Sequence, residues 1–422
     1  MTILRLAWAS LRNRRVAALL TIISIALSVS LLLGVEKLRR DARDGFASTI
    51  SGTDLIVGAR GGAVQLLLYS VFRIGQATNN ISWASYQQIA AQPGVAWTVP
   101  ISLGDSHRGY RVMGTSEAYF EHYRYAHRQA LQFAQGRAFA GAADVVLGAT
   151  VAREFGYEPG QSIVLAHGTG ALDINQHSDH PFTVVGILRP TGTPVDRTLH
   201  VSLAGMEAMH EGWQDGAPPT QGALALGLNH ARAAASTPPA SITAFLIGLD
   251  RKTRLFALQR HINTMRTEPL QAIMPAVALQ ELWDLMRVAE DGLRIISAFV
   301  VVTSLLGMLT VILATLEARR REMAVLRAVG ARLSHVAGLF VAEAGVLALL
   351  GIGLGVAALH GLILVLQPLV STRFGIHLPM SLLTAHDLLL LGVIFCAALL
   401  VSLIPAARAF RLSLADGLSI RI

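Results

Sequence analysis

Histidine and aspartate side chains are the groups in this chain whose spacing best fits metal chemistry. His177-Ser-Asp-His180 places two imidazoles three residues apart around a carboxylate, and these groups bind Zn²⁺ and other transition metals. No Cys joins them, and their Gly-, Ser- and Asp-containing surroundings are typical of a polar surface loop, which also accommodates histidine. We therefore expect no metal centre, with His177 and His180 as the candidates if one exists.

Phosphate-binding chemistry is the second possibility. A Walker A loop needs a Gly-Lys pair whose amine reaches the phosphates. The chain has only two lysines, Lys37 and Lys252, and neither follows a glycine. The run Gly58-Ala-Arg-Gly-Gly62 could form an anion-binding nest, or more simply a tight turn. Any ATP hydrolysis must therefore come from another chain, and we expect no cofactor and no catalytic residue in this one.

Composition indicates a membrane protein. Of the 422 residues, 53% are hydrophobic and 15% are charged, and the mean hydropathy is +0.50. Lys+Arg exceed Asp+Glu by 35 to 27, and the arginines cluster beside apolar runs, as topology determinants do. A nucleic-acid partner is therefore not expected. The single cysteine, Cys396, lies inside an apolar run and excludes an intrachain disulfide.

Four apolar runs are long enough to cross the bilayer, which takes about 20 residues. They predict transmembrane helices at 16–35, 295–316, 336–366 and 388–407. The first run could be a signal peptide, but it is long for one and has no cleavage site at the right place, so we interpret it as a retained anchor.

Arginine distribution predicts the orientation of these helices. Arginines crowd the segments 1–15, 317–335 and 408–422, whereas the 367–387 loop holds only Arg373. The positive-inside rule then places both termini in the cytoplasm and residues 36–292 on the opposite side. The N-terminal residues 1–15 alternate apolar side chains with arginines and predict an interfacial amphipathic helix.

The segment 36–292 has the content of a globular α+β domain. Its first charges, from Glu36 to Asp44, predict that the first helix continues beyond the membrane with paired charges. Turn signals separate the later elements. Predicted strands are Thr53–Val57, Val145–Leu147, Ser162–Ala166, Phe182–Leu188 and Ala244–Gly248, and predicted helices are Trp83–Ala91 and Ala276–Val288.

Three motifs carry a resemblance over the whole length of the chain. They are Arg319-Arg-Arg-Glu-Met-Ala-Val-Leu-Arg-Ala-Val-Gly-Ala, Phe340-Val-Ala-Glu-Ala-Gly-Val-Leu-Ala-Leu-Leu-Gly-Ile-Gly-Leu-Gly and Pro405-Ala-Ala-Arg-Ala-Phe-Arg-Leu-Ser-Leu-Ala-Asp-Gly-Leu. With the order of one span, a large domain and three spans, the chain resembles the MacB/FtsX-type permeases of ABC transporters, also called type VII or mechanotransmission permeases. Two further segments look like one branch of stand-alone permeases whose ATPase is a separate chain: Thr53-Asp-Leu-Ile-Val-Gly-Ala-Arg-Gly-Gly and Phe182-Thr-Val-Val-Gly-Ile-Leu-Arg-Pro-Thr-Gly-Thr-Pro-Val-Asp-Arg.

The resemblance implies a fold, partners and a location. The fold is a membrane α-helical protein with four transmembrane helices and a large α+β periplasmic domain inserted between helices 1 and 2. The partners are a cytoplasmic ABC ATPase that binds ATP and Mg²⁺, a second copy of the permease, membrane lipid, and a periplasmic adaptor or lipoprotein. The location is the bacterial inner membrane.

The resemblance also makes the helix after the second span the segment that couples to the ATPase. Met323, Leu326 and Val329 recur at helical spacing and form an apolar stripe. The alternative is a basic topology anchor lying on anionic lipid. The coupling residues implied are Glu317, Arg320, Arg321, Glu322, Met323, Leu326, Arg327, Val329 and Gly330.

The third span contains the residues expected to pack helices together. Gly351 and Gly355 form a small-xxx-small pair that lets two helices approach closely. Glu343 must face protein or water, since an ionised carboxylate facing lipid is costly. It could pair structurally with an arginine or backbone groups, bind a cationic substrate, or relay protons.

The expected function is that of an ABC transporter permease without an ATPase site of its own. Few charges lie within the four spans, which makes a water-filled channel a poor fit and favours work on the periplasmic side, such as extraction of a lipoprotein or lipid, or substrate export. Two alternatives stay open: a non-transporting scaffold that regulates cell-envelope enzymes, and a periplasmic metal-handling module.

Overall fold

The computed structural model of the chain describes residue 12 and residues 14–126, 128–167, 181–210, 238–318, 333–374 and 383–411. The chain divides into two compact units. We call residues 42–286, together with the described residues 370–374, the sheet unit, and the described residues of 12–41, 287–369 and 383–411 the helix unit.

The elements are numbered in chain order. The helices are α1 (Arg15–Thr49), α2 (Ala63–Leu67), α3 (Trp83–Ala90), α4 (Ala118–His122), α5 (Ala149–Phe155), α6 (Leu203–His210), α7 (Leu255–Asn263), α8 (Pro275–Ala318), α9 (Leu333–Phe374) and α10 (Ala385–Arg411). The strands are β1 (Leu55–Ala59), β2 (Ile81–Ser82), β3 (Val95–His107), β4 (Tyr110–Thr115), β5 (Arg124–Tyr125), β6 (Gln129–Ala130), β7 (Phe133–Gly136), β8 (Asp144–Leu147), β9 (Ser162–Ile163), β10 (Ala166–His167), β11 (Phe182–Leu188), β12 (Thr198–Ser202), β13 (Ser241–Ile242), β14 (Ala244–Leu249) and β15 (Leu270–Ile273).

The helix unit is built from α1, α8, α9 and α10, the four described helices that are long and apolar enough to cross a membrane. Each contributes buried side chains to one core, among them Val29 of α1, Met308 of α8, Phe340 of α9 and Ala398 of α10. Because hydrocarbon offers no hydrophobic gain for helix association, close packing of such side chains holds the helices together. The expected fold class is confirmed, with an α/β domain between the first and second of these helices.

Three of these helices extend beyond the apolar runs. The predicted helix Ala276–Val288 and the second predicted span form one continuous helix, α8, which begins at Pro275. Helix α1 continues to Thr49, and α9 continues to Phe374, within the predicted 367–387 loop. Helix α1 continues through Gly45 and α9 continues through Pro368, so neither residue ends its helix.

The sheet unit is organised around one mixed sheet. Within the described residues it has 11 strands, in the order β15-β1-β14-β3-β4-β12-β8-β11-β7, with β10 paired to β3 and β9 paired to β11. Most neighbours are antiparallel, whereas β12 runs parallel to β4 and β11 runs parallel to β8. The predicted strands at 145–147, 182–188 and 244–248 are confirmed, and the one at 53–57 begins two residues later.

Successive residues of a strand point to opposite faces of the sheet. Both faces of this sheet carry apolar side chains, and helices cover both. On one face, Ile56 and Leu246 pack with buried side chains from α2 and α4. The opposite face has two cores, one covered by α3 and α7 and the other by α5 and α6. Residues next to Ile56 in β1, such as Val57, belong to this second face. The sheet therefore forms the central layer of the unit.

The core beneath α4 contains one fully buried histidine. His200 of β12 is 0% exposed, and its ring lies 5.3 Å from the Tyr119 ring between centroids. Its Nδ1 donates to the Val146 carbonyl at 3.3 Å. Burial, with the nearby Arg73 charge as a second cause, lowers the pKa of His200 to about 3. The imidazole is therefore neutral in the folded sheet unit at every physiological pH.

This burial predicts an acid-sensitive sheet unit. Unfolding exposes His200, whose pKa then returns to about 6.5, so the unfolded chain binds a proton that the folded chain does not. The free energy of unfolding carries no penalty from His200 above about pH 6.5, and it falls as the pH falls from there toward 3. Between pH 7 and pH 5 we expect the free energy of unfolding to drop by about 2 kcal/mol from this group.

Urea unfolding of the 42–286 segment at several pH values measures this drop. The His200→Phe variant should lose that part of the pH dependence, whereas His261→Gln, at an exposed histidine of α7, should keep it. An unchanged pH profile in His200→Phe would contradict the assignment.

Candidate functional site

The predicted coupling segment lies between α8 and α9. Helix α8 ends at Ala318, which places Glu317 in its last turn, and α9 begins at Leu333. The other coupling residues, Arg320, Arg321, Glu322, Met323, Leu326, Arg327, Val329 and Gly330, lie outside the described residues, as do His177 and His180. Their roles stay predictions. The described site consists of the contacts that hold the two flanking helices.

Helix α9 contacts α1 through its two predicted packing glycines. A methyl group added at Gly351 would lie 2.6 Å from Cγ2 of Ile25, and one added at Gly355 would lie 2.7 Å from the Ala26 carbonyl oxygen. The Ser30 hydroxyl donates to the Gly355 carbonyl at 2.7 Å. The absence of side chains at these two positions therefore allows the backbones of α1 and α9 to approach closely.

Helix α1 contacts α8 through serine hydroxyls. The hydroxyls of Ser24 and Ser304 lie 3.1 Å apart, and Ser28 lies within 3.3 Å of the Val300 carbonyl while also donating to the Ser24 carbonyl. Polar groups in an apolar environment need such partners, because leaving them unpaired is costly. These bonds connect α1 to α8 as the glycines connect it to α9.

A charge cluster joins α1 to α8 and α10 at one end of the helix unit. Its centre is the Glu36 carboxylate, whose side chain is 7% exposed. Arg39 donates to it at 2.5 Å, and Arg294 of α8 and His386 of α10 lie 3.8 and 3.7 Å away. The predicted charge pairing on α1 is thus confirmed, with Lys37 and Asp41 as a second pair at 3.0 Å. The cluster also connects three helices, which sequence reasoning did not anticipate.

The start of α10 completes this charge cluster. Thr384 and Asp387 form a reciprocal cap: Asp387 accepts from the Thr384 backbone N–H at 2.9 Å, and Thr384 accepts from the Asp387 N–H at 3.3 Å. Asp387 also accepts from Arg40 of α1 at 2.7 Å. The Thr-x-x-Asp spacing before an apolar run is a recognisable helix-start signal, and it could have identified Asp387 from the sequence.

Two family models match the chain in sequence order. The MacB-like periplasmic core domain matches residues 18–237, just over half of the chain, and the FtsX-like permease C-terminal domain matches residues 294–414. The chain belongs to the MacB/FtsX-type family of ABC transporter permeases. Membership implies an ABC transporter system with a cytoplasmic ATPase partner, and with the four apolar helices it indicates a multi-pass inner-membrane protein. Permeases of this family are typically not enzymes themselves.

Solved structures similar to the permease are distant. The periplasmic region of MacB from Actinobacillus actinomycetemcomitans is 13% identical, with a TM-score of 0.34 over 56% of this chain and 94% of that one. The extracellular domain of the noncanonic ABC-type transporter YknZ from Gram-positive bacteria is 11% identical, with a TM-score of 0.30 over 52% of this chain and 99% of that one. Likenesses at this level carry no argument about function. No curated protein matches the chain.

The remaining candidate residues of the permease are all part of the fold where they are described. Glu343 is 5% exposed within the helix unit. The Gly58–Gly62 turn is held by bonds within the sheet unit, since the Gly61 N–H donates to Gln271 at 3.0 Å and the Arg60 N–H donates to the Pro269 carbonyl. In the described part of the chain, no three His, Cys, Asp or Glu side chains are placed to hold a metal ion.

The glycine contact predicts that substitutions at Gly351 and Gly355 are destabilising while one at their neighbour is not. Gly355→Leu should force α1 and α9 apart, at a cost of about 1–3 kcal/mol. Gly353→Leu is the matched control, because a methyl group added there meets nothing within 4 Å. Heating the purified permease in detergent and measuring the fraction that stays monodisperse should show an earlier loss for Gly355→Leu. Equal losses in both variants would contradict the contact.

The charge cluster predicts different effects for two acidic residues that contact Arg294. Glu36→Gln removes a buried charge that pairs with Arg39 and Arg294 and should cost on the order of 3 kcal/mol. Asp291→Asn removes a carboxylate that lies 3.3 Å from the same Arg294 but is 53% exposed, and should cost well under about 1 kcal/mol. Heating the two purified variants in detergent and measuring the fraction that stays monodisperse compares their stabilities. A larger loss in Asp291→Asn would contradict the central role of Glu36.

Proposed function

We propose that this permease converts ATP hydrolysis by a separate ATPase chain into conformational work by the sheet unit. Membership of the MacB/FtsX-type family is the observation that supports this most directly, since it implies an ATPase partner. The chain has no Gly-Lys pair for a Walker A loop, so ATP and Mg²⁺ are bound by that partner. The work is extraction of a lipoprotein or lipid, or export of a substrate, and it is performed by two copies of the permease.

The proposed orientation places the sheet unit in the periplasm and both termini in the cytoplasm. The arginine-rich segments at 1–15, 317–335 and 408–422 support it. The segment between α8 and α9 then faces the ATPase. The apolar surface that binds the partner consists of Met323, Leu326 and Val329. Its polar rim consists of Arg320, Arg321 and Arg327.

Two helices are suited to transmit the motion. Helix α1 has 35 residues and α8 has 44, and both contribute residues to the helix unit and to the sheet unit. Movement of the coupling segment reaches α8 directly, because Glu317 lies in the last turn of that helix. The serine bonds and the Glu36 cluster connect α8 to α1, so the two helices move together.

A substitution in the coupling segment tests the proposal. Leu326→Asp places a charge in this apolar surface and should abolish co-purification of the ATPase, since burying an unpaired carboxylate is costly. Ser334→Asp is the control, because it adds the same charge at an exposed position at the start of α9. Mass spectrometry of the purified complex measures ATPase recovery.

The same complexes test the coupling itself. Wild-type permease with its ATPase should show an ATP-dependent change in hydrogen exchange within the sheet unit, and the Leu326→Asp variant should show none. Co-purification of the ATPase with the Leu326→Asp variant would contradict the proposed ATPase-binding surface. If the ATPase is bound and active but hydrogen exchange in the sheet unit does not change with ATP, the proposal of conformational work is wrong.

A further inference from the structure

Helix α7 carries a basic surface that the proposed transport function does not use. No acidic residue lies between Arg251 and Thr267, while basic residues recur through this stretch. We call the surface formed by the exposed side chains of Arg251, Lys252, Arg254, Phe256, Arg260 and Arg266 the α7 basic surface. Phe256 is its one large apolar side chain and is 70% exposed.

The fold holds α7 rigidly. Its inward side chains Leu258 and Ile262 are 8% and 0% exposed in the sheet-unit core. Asn263 accepts from the Ala272 N–H of β15 at 2.7 Å, and Gln259 donates to the Ala272 carbonyl at 3.1 Å. Arg60 donates to the Asn263 carbonyl at 2.6 Å at the C-terminal end of the helix. The outward side chains are thus presented on a preformed helix.

Folding does not account for the charges on this surface. Lys252 and Arg254 occupy a 3₁₀ turn at the helix N-terminus, next to Arg251, and no acidic residue lies in the first turn of α7. The positive end of a helix dipole favours anions, so cations there oppose helix formation. Lys252 lies 3.8 Å from Asp54, but its side chain is 73% exposed and such a pair contributes little. Selection for stability would favour other residues at these positions.

The chemistry of the surface points to an acidic protein. The planar guanidinium of arginine can donate two parallel hydrogen bonds to one carboxylate, and arginine is enriched in protein-binding hot spots. Insertion into a lipid surface relies on several apolar side chains, and the exposed side of α7 offers only Phe256.

We propose that the α7 basic surface docks an acidic segment of a partner protein, with Arg254 and Arg260 binding its carboxylates and Phe256, one helical turn before Arg260, packing against an apolar side chain. The docking is separate from ATPase coupling, because it involves α7 of the sheet unit and not the segment between α8 and α9.

Peptide binding to the purified full chain in detergent tests the proposal. The probes are a fluorescently labelled peptide rich in Glu and Leu and a matched peptide in which every Glu is Gln, followed by fluorescence anisotropy. The Glu peptide should bind more tightly, and its binding should weaken as salt is added. Arg254→Glu and Arg260→Glu should each weaken it roughly tenfold. Phe256→Ala should also weaken it, which a purely non-specific charge effect would not produce.

Matched controls separate the surface from general charge and from misfolding. Arg189→Glu makes the same charge change at an exposed arginine elsewhere in the sheet unit and should leave binding unchanged. Arg254→Glu should not lower the melting temperature, because a carboxylate suits a helix N-terminus. Equal weakening by Arg189→Glu, or no effect of Phe256→Ala, would overturn the proposal. So would binding of phosphatidylglycerol vesicles that depends on the same residues while neither peptide binds.

Discussion

The close approach of α1 and α9 is the contact on which the rest of the helix unit depends. In hydrocarbon, helices gain nothing by burying apolar side chains from lipid, so they associate through short-range packing and hydrogen bonds. Gly351 and Gly355 supply both, because they admit the α1 backbone and leave the Gly355 carbonyl within 2.7 Å of Ser30. This contact sets the position of α1 between its neighbours.

Helix α1 is consequently the shared partner of the other three membrane helices. Its serines contact α8, its residues Ile25, Ala26 and Val29 contact the glycines of α9, and its charged end contacts α8 and α10. Within the sheet unit its last turns are used again: Phe46 packs against Trp283 of α8 with ring centroids 5.6 Å apart, and the Thr49 carbonyl accepts from Tyr123. Helices α1 and α8 are thus paired in both units.

Much of the membrane architecture could be predicted from the sequence, whereas less of the sheet could. Apolar runs determine membrane helices locally, because every backbone group in lipid must be bonded within its own helix. Strand β3 was not predicted, although at 13 residues it is the longest of the described strands. Pro100 and Gly104 interrupt its pattern, and both normally argue against a central strand. In the folded chain the Pro100 carbonyl accepts from Thr115, and the register shifts past Leu103, so the strand tolerates both residues.

The sequence by itself determined the four spans, the packing role expected of Gly351 and Gly355, and the absence of a nucleotide-binding loop, because each depends on composition or spacing within one segment. Tertiary structure decided what Glu36, Asp387 and His200 do. Glu36 and Asp387 are 351 positions apart in the numbering yet belong to one charge cluster, and His200 lost its charge to burial among residues from other strands and helices. Local patterns indicated the cap at Asp387 and the charge pairs on α1, but the contacts of these residues with distant segments leave no local pattern, because the partners lie far apart in the sequence.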